Sequence, residues 1–218
     1  MASSSHLNPT ATAFLPGIAS LPTLPDAALI STLDLLFEPS DDLHALALPT
    51  LRTLSFASYD DLITTLRDEL LQIAAAVSGP DADPDVTPDA CKPLHNILGS
   101  HPRLGAAKPP AAAQIQGEEQ EELSEQSKKE QAQLRGGDPA EAEKLAALNE
   151  EYEAKFPGLR YVVFVNGRGR DVIMEDMRRR IDRGDLQAEE REAIRAMCDI
   201  AADRVAKLQK SALEATSA

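Results

Sequence analysis

The sequence contains no tryptophan, few other aromatic residues and only two cysteines among its 218 residues. Aromatic residues make up 4% of the chain, which disfavours a β-sandwich or barrel because strands prefer β-branched and aromatic side chains. Cys91 and Cys198 are too few for a disulfide framework or a cysteine-rich metal cluster. Alanine and leucine dominate instead, and both favour helices. The composition therefore predicts an all-α protein.

Long apolar runs are also absent. No segment approaches the roughly 18 apolar residues that a membrane-spanning helix needs, and no signal-peptide hydrophobic region opens the chain. The chain has 22 Lys and Arg against 36 Asp and Glu, a net charge of −14. This charge makes nucleic acid and anionic membranes poor partners. We expect a soluble intracellular protein that holds any small anion with a few local cations.

Sequence motifs for several common chemistries are missing. The chain has neither the GxxxxGK[ST] pattern of phosphate-binding loops nor a GxSxG nucleophile elbow. His95 lies six residues before His101, and no Cys, Asp or Glu spacing near these two suggests a metal site. The sequence therefore points away from nucleotide, metal and nucleophilic-serine chemistry.

The length permits one domain with an insertion. We assign residues 1–16 to a mobile N-terminal tail and residues 17–213 to a helical domain, which is interrupted by irregular stretches at 78–93 and 105–120. The run FPGLRYVVFVNG predicts one extended segment near 160–166, without a partner strand. Helices are predicted from Asp26, from Ser58 with Asp61 as a capping box, from 118 to 134, after Asp138, from 171 to 182 and from 187 to 213.

Arg204 lies on an otherwise apolar helix face. It comes four residues after Ile200 and seven after Met197, a spacing that places all three on one side of a helix. One interpretation is an arginine that reaches out from the edge of the stripe or pairs with a core carboxylate. The other is a guanidinium at the floor of a pocket, where it binds the carboxylate of a ligand.

Two further polar residues stand out. Glu130 shares a helical face with Leu123 and Leu134, although a glutamate in a charge-rich helix usually faces solvent. His101 is a lone loop histidine, a type more often found at the surface. Pro102, however, restricts the backbone of His101 to extended geometry and limits where the His101 ring can point.

Two other features receive ordinary interpretations. The run Arg178–Arg180 is interpreted as a solvated face, and His44 as part of a polar turn.

Five segments occur in an order that resembles one enzyme family. They are His101-Pro102-Arg103-Leu104, Ser127-x-x-Glu130-Gln131, LNEEYEAKF at 148–156, YVVFV at 161–165 and IAADR at 200–204. Together they resemble the 2-oxo-4-hydroxy-4-carboxy-5-ureidoimidazoline (OHCU) decarboxylases, in particular a fungal-type member. The resemblance covers roughly residues 20–212. Each motif is short, and the specificity comes from their order and spacing.

Three departures from the family pattern are visible. Arg103 replaces the usual aspartate of His-Pro-Asp-Leu, and Ala132-Gln133-Leu134 follows Glu130-Gln131 where the family commonly has x-x-Ala-Gly-Leu. The gap from His101 to Glu130 is also longer than usual, which indicates an insertion at 105–120. Ser124-Glu125-Gln126 lies in this region and makes Glu125 a competing candidate. Glu130 is preferred because only it has serine three residues before it.

The resemblance implies an all-α helical bundle, a homodimer, and catalysis without a metal or an organic cofactor. The catalytic residues would be His101, Glu130 and Arg204. The segments that contact substrate would lie around Pro102, at 127–131 and along 161–165. The substrate-binding residues implied in this way are Pro102, Ser127, Gln131, Tyr161, Val162, Val163, Phe164 and Val165.

The implied activity is that of a carboxy-lyase of urate breakdown, which converts OHCU, an anionic ureide, to (S)-allantoin. Arg204 would hold the anion. Glu130 would bind donors of the substrate's ring or ureido group and orient His101, and His101, with an ordinary pKa near 6.5, would move a proton. A non-catalytic helical adaptor, an inactive relative and an enzyme acting on a related ureide are alternatives. The C-terminus lacks an SKL-type signal, and the expected location is the cytoplasm or the peroxisome.

Overall fold

A computed structural model describes residues 14–78, 88–105 and 139–216 of the chain. These ranges contain helices and connecting loops but no strand, which confirms the all-α prediction. Short 3-10 helices occupy Ile18–Thr23 and Pro88–Cys91. The α-helices are α1 (Asp26–Leu36), α2 (Asp41–Thr53), α3 (Tyr59–Ser78), α4 (Lys92–Gly99), α5 (Pro139–Lys155), α6 (Arg170–Arg183) and α7 (Leu186–Thr216).

Polar side chains cap the starts of three helices. The backbone N–H of Leu43 donates to Ser40 Oγ at 3.3 Å before α2, and that of Ala188 donates to an Asp185 carboxylate oxygen at 2.9 Å in α7. The predicted cap of α3 is confirmed, since the N–H of Asp61 donates to Ser58 Oγ at 3.1 Å. Each cap satisfies a donor that the first helical turn leaves without a partner.

The core forms where these helices pack together. The most extensive contact joins α3 to α7, and α7 also contacts α1 and α4. α6 and α7 are joined through Gly184, whose φ of 63° lies in the left-handed region that favours glycine. α7 is therefore the central element, since α1, α3 and α4 all pack against it.

Two predictions about the first half of the chain are wrong. His44 lies in the helix α2 and not in a polar turn, with its Nε2 2.7 Å from an Asp34 carboxylate oxygen. The sequence does carry a helical signal there, with Ser40, Asp41 and Asp42 at the helix start and buried apolar residues at every fourth position, although Pro49 lies inside the helix. The end of the predicted irregular stretch is also regular, because residues 88–93 belong to a 3-10 turn and to the first turn of α4.

The predicted solvated face at Arg178–Arg180 is wrong for one residue. Arg180 is 2% exposed, and its Nε donates to a Glu189 carboxylate oxygen at 2.8 Å. The hydroxyl of Tyr152 donates to the same oxygen at 2.5 Å. A partner on the neighbouring helix α7 thus makes burial of this arginine possible, which spacing along α6 alone does not reveal. The partly exposed Arg178 pairs with Glu151, and the exposed Arg179 pairs with Asp176.

The segment 161–165 has no helical or strand assignment and follows α5 through a short loop. Its position is fixed mainly by arginines. Arg180 Nη1 donates to the carbonyl of Val162 at 3.0 Å, and the Arg180 guanidinium lies 4.6 Å from the centre of the Tyr161 ring. The predicted extended segment therefore lies against a buried polar network.

No helix in the described ranges is long and apolar enough to cross a membrane.

Candidate active site

Arg204 is the largest of the fully buried side chains in the described part of the chain. It projects from α7 and is only 1% exposed. Its Nη2 donates to a carboxylate oxygen of Glu38 at 2.7 Å, and its Nη1 to the carbonyl of Leu36 at 3.4 Å. Both partners lie at the C-terminal end of α1. The guanidinium is therefore fixed between two helices, and a core carboxylate balances its charge.

Glu38 was not identified by sequence reasoning. It lies just beyond the apolar face of α1, immediately after Phe37, and is 4% exposed. Its contact with Arg204 joins residues 166 positions apart, so no local spacing indicates it. A carboxylate this buried requires a charged or hydrogen-bonding partner. The only sequence clue is a charged residue that directly follows a strongly apolar run.

His101 is brought into the same region by the loop that follows α4. Ser100 caps the helix by donating from its Oγ to the carbonyl of Ile97 at 2.7 Å. Arg160 Nη1 then donates to the carbonyl of His101 at 3.2 Å, and Asn149 Nδ2 donates to the carbonyl of Leu104 at 3.0 Å. The loop carrying His101 and Pro102 is thus held from two sides by hydrogen bonds to its backbone.

The His101 side chain is buried and lies within the field of the Arg204–Glu38 pair. Burial lowers its pKa from 6.5 to about 4, with opposing smaller effects from Glu38, which raises the pKa, and Arg204, which lowers it. The expected ordinary pKa near 6.5 is therefore wrong. Nε2 has no hydrogen-bond partner among the described residues. At neutral pH the ring is uncharged, so one of its two nitrogens can accept a proton or a hydrogen bond.

Arg103, which stands where the family commonly has aspartate, has a structural explanation. Its guanidinium forms a two-point ion pair with Glu153 of α5, with Nε 2.6 Å from one carboxylate oxygen and Nη2 bound to the other. The Arg103 side chain is half-exposed. The contact adds a third attachment of the His101 loop to the rest of the protein. The replacement of aspartate by arginine therefore affects how the loop is held at the surface.

The five predicted substrate-contacting residues at 161–165 are largely packed. Tyr161, Val162 and Val165 are buried, while Val163 and Phe164 are partly buried. The Tyr161 hydroxyl donates to an Asp176 carboxylate oxygen at 2.6 Å. The carbonyls of Val162, Phe164 and Val165 already accept from arginine side chains. Each carbonyl oxygen can still accept a second hydrogen bond, and the side chains of Val163 and Phe164 line an open cleft.

An open cleft of about 340 Å³ lies beside this segment, on a different side of α7 from Arg204. Its α7 lining residues Arg195 and Asp199 are exposed, whereas Arg204 lies on the buried face of the same helix. The cleft also has no contact with His101. We therefore assign the candidate active site to the region of His101 and Arg204 and not to this cleft.

The structure brings two of the three predicted catalytic residues, His101 and Arg204, into one electrostatic environment and adds Glu38. It also places Pro102 beside His101, in the loop that Arg160 holds. The predicted Ser127, Glu130 and Gln131, the competing Glu125 and the insertion at 105–120, except its first residue, lie outside the described residues.

The described residues form an all-α fold in which a buried histidine, arginine and glutamate share one region. Comparison with protein families then identifies the group: residues 22–206 match the family described as OHCU decarboxylase. The chain belongs to this family. The match supports a decarboxylating lyase and a role in purine catabolism at the level of the family. No curated protein matches the chain.

The burial of His101 predicts a specific pH dependence of stability. An unfolded histidine binds a proton below pH 6.5, whereas His101 in the folded protein resists protonation until about pH 4. The unfolded state therefore binds more protons between these values, and stability falls as the pH drops through them. At pH 4.5 this loss amounts to about 2–3 kcal/mol relative to pH 7.

The measurement is urea unfolding of wild type and His101→Gln at pH 7 and pH 4.5. Subtracting the two pH dependences cancels the titration of carboxyl groups common to both proteins. We expect the wild type to lose more stability on acidification than the variant. Parallel pH dependences would show that His101 takes up protons in the folded state as readily as in water.

Proposed function

We propose that the protein catalyses cofactor-free decarboxylation of OHCU to (S)-allantoin. The observation that carries the proposal is the burial of His101 and Arg204 in one environment, within a chain that belongs to the OHCU decarboxylase family. A guanidinium suits the substrate carboxylate. An uncharged imidazole with an available nitrogen suits proton transfer. A helical adaptor would not require a buried histidine beside a buried arginine.

The reaction needs no external electron acceptor. The C4–carboxylate bond breaks and its electrons form a C4=C5 double bond, while the electrons of the C5=N bond move to the ring nitrogen, which takes up a proton. CO2 leaves. The 4-hydroxyl then loses its proton as the C4 carbonyl forms, and C5 gains a proton on one face. One proton in total is taken up for each CO2 released, and the product is allantoin.

In this mechanism His101 accepts the proton of the 4-hydroxyl, which its uncharged state permits. Its low pKa makes it a weak base, but a bound anion raises the pKa of a neighbouring histidine. Arg204 holds the substrate anion. Glu130 would orient His101 and bind N–H donors of the ring or ureido group, a role that comes from the family resemblance.

The other expectations from the resemblance belong to the same proposal. Ser127, Gln131 and the 161–165 segment would contact the substrate, with Pro102 shaping the wall beside His101. We further propose that the protein acts as a homodimer, without a metal or an organic cofactor, in the cytoplasm or the peroxisome. An inactive relative and an enzyme for a related ureide are the outcomes that the experiments below separate from this proposal.

The first prediction concerns the chirality of the product. OHCU generated from urate with urate oxidase and hydroxyisourate hydrolase decays spontaneously to racemic allantoin, so rate alone is a weak criterion. With this protein added, we expect rapid accumulation of (S)-allantoin, followed by circular dichroism. Slow racemic product that matches the blank would contradict the proposed function and favour an inactive relative.

The second prediction concerns His101. His101→Ala removes the proton acceptor and leaves Arg204 in place, so kcat should fall by about 10²–10⁴-fold, with a smaller change in KM. Initial rates of CO2 release measure the effect, with the melting temperature as a check on folding. A nearly normal kcat in the folded variant would show that His101 does not transfer the proton.

The third prediction decides between the two glutamates. Glu130→Gln keeps the size of the side chain but removes its charge, and should reduce kcat by about tenfold or more. Glu125→Gln, the matched control five residues earlier, should retain wild-type kinetics. The reverse result would assign the active-site role to Glu125 and place the family's glutamate motif at Ser124-Glu125-Gln126.

A further inference from the structure

Glu38 is a buried charged group to which the mechanism above assigns no role. We propose that Glu38 is a positioning residue which, through Arg204, weakens the hold of that guanidinium on the substrate carboxylate and so favours loss of CO2. The inference rests on the proposed function, because it requires that Arg204 bind the carboxylate that leaves.

The contacts give Glu38 both a geometric and an electrostatic effect on Arg204. Nη2 of Arg204 donates to Glu38 at 2.7 Å while Nη1 donates to the carbonyl of Leu36. Two anchors at the end of α1 fix the plane of the guanidinium. The two charged side chains are 4% and 1% exposed, so water screens their interaction poorly. A ligand at Arg204 therefore meets an arginine whose charge is largely balanced.

This balance matters because the reaction removes the charge that Arg204 holds. In the bound substrate the negative charge lies on the two carboxylate oxygens, and in the transition state it moves into the ring as CO2 departs. A cation fixed at the carboxylate therefore stabilises the substrate more than the transition state. Such an interaction tightens binding but slows the chemical step. A carboxylate that reduces the effective charge of Arg204 lowers this cost.

A purely structural role for Glu38 predicts different kinetics. If Glu38 only joined α1 to α7, its loss would loosen the site, raising KM and lowering kcat together. If Glu38 balances charge, Glu38→Gln frees the full charge of Arg204, and KM should fall while kcat also falls. A decrease in both constants is the signature of a substrate that is bound too well.

The experiment compares wild type with Glu38→Gln, which keeps the size of the side chain and one acceptor oxygen. Using freshly generated OHCU, we expect kcat and KM each to fall by about tenfold, equivalent to about 1.4 kcal/mol. Calorimetry with two stable ureides provides a direct binding readout. Diureidoacetate (allantoate), which carries a carboxylate, should bind about tenfold more tightly to the variant, whereas (S)-allantoin, which has none, should bind equally to both.

Glu190→Gln is the matched control. Glu190 is another fully buried carboxylate, which lies on α7 and contacts His95 Nε2 at 2.8 Å. Its substitution should lower the melting temperature without changing the ratio of the affinities for allantoate and allantoin. A shift of that ratio equal to the shift in Glu38→Gln would overturn the proposal, because loss of any buried carboxylate would then produce it.

Glu38→Asp provides a second variant should Glu38→Gln fail to fold. It keeps the charge but places it one methylene farther from Arg204, so the affinity ratio should move in the same direction by a smaller amount. An unchanged or opposite ratio overturns the proposal, as does a raised KM in a folded, active Glu38→Gln. A wild type that produces no (S)-allantoin overturns the proposed function itself, and the role of Glu38 with it.

Discussion

The burial of Arg204 is the constraint on which the arrangement of the site depends. A guanidinium that is 1% exposed must have a partner for its charge and acceptors for its N–H groups. The end of α1 supplies both, in Glu38 and the carbonyl of Leu36. Because these contacts have directional requirements, α1 and α7 must dock in one register. The loop after α4 then places His101 within the field of the resulting pair.

A second buried ion pair of the same kind lies near the N-terminal end of α7. Glu189 near its start binds the buried Arg180 of α6, while Arg204 lies 15 residues later, or about 22 Å along the helix axis. Arg180 in turn holds the carbonyl of Val162. α7 therefore contributes to two buried ion pairs. The Arg204–Glu38 pair fixes the end of α1, and the Arg180–Glu189 pair holds the irregular 161–165 segment. Irregular backbone can be held rigidly when charged side chains satisfy its carbonyls.

The long periodic helices and the unusual position of Arg204 on an apolar face could be predicted from the sequence. An apolar stripe that repeats over many helical turns makes a single charged residue within it easy to detect. The sequence also carries the start signal and the apolar spacing of α2, which Pro49 obscures. It does not reveal the burial of Arg180, whose partner lies on the next helix. Glu38 was missed for the same reason: its partner is 166 residues away. Local patterns report local geometry, whereas the pairing of buried charges is decided by tertiary packing.

The electrostatics of the site connect binding to base strength. Desolvation keeps His101 uncharged, and the opposing effects of Glu38 and Arg204 leave it so at neutral pH. Under the proposed function, an anion bound at Arg204 would add negative charge near the ring, which would raise the pKa of His101 and make it a stronger base. The ability to accept a proton would then develop when the substrate is present. The Arg204–Glu38 pair would thus control both how firmly the anion is held and how strongly its charge acts on His101.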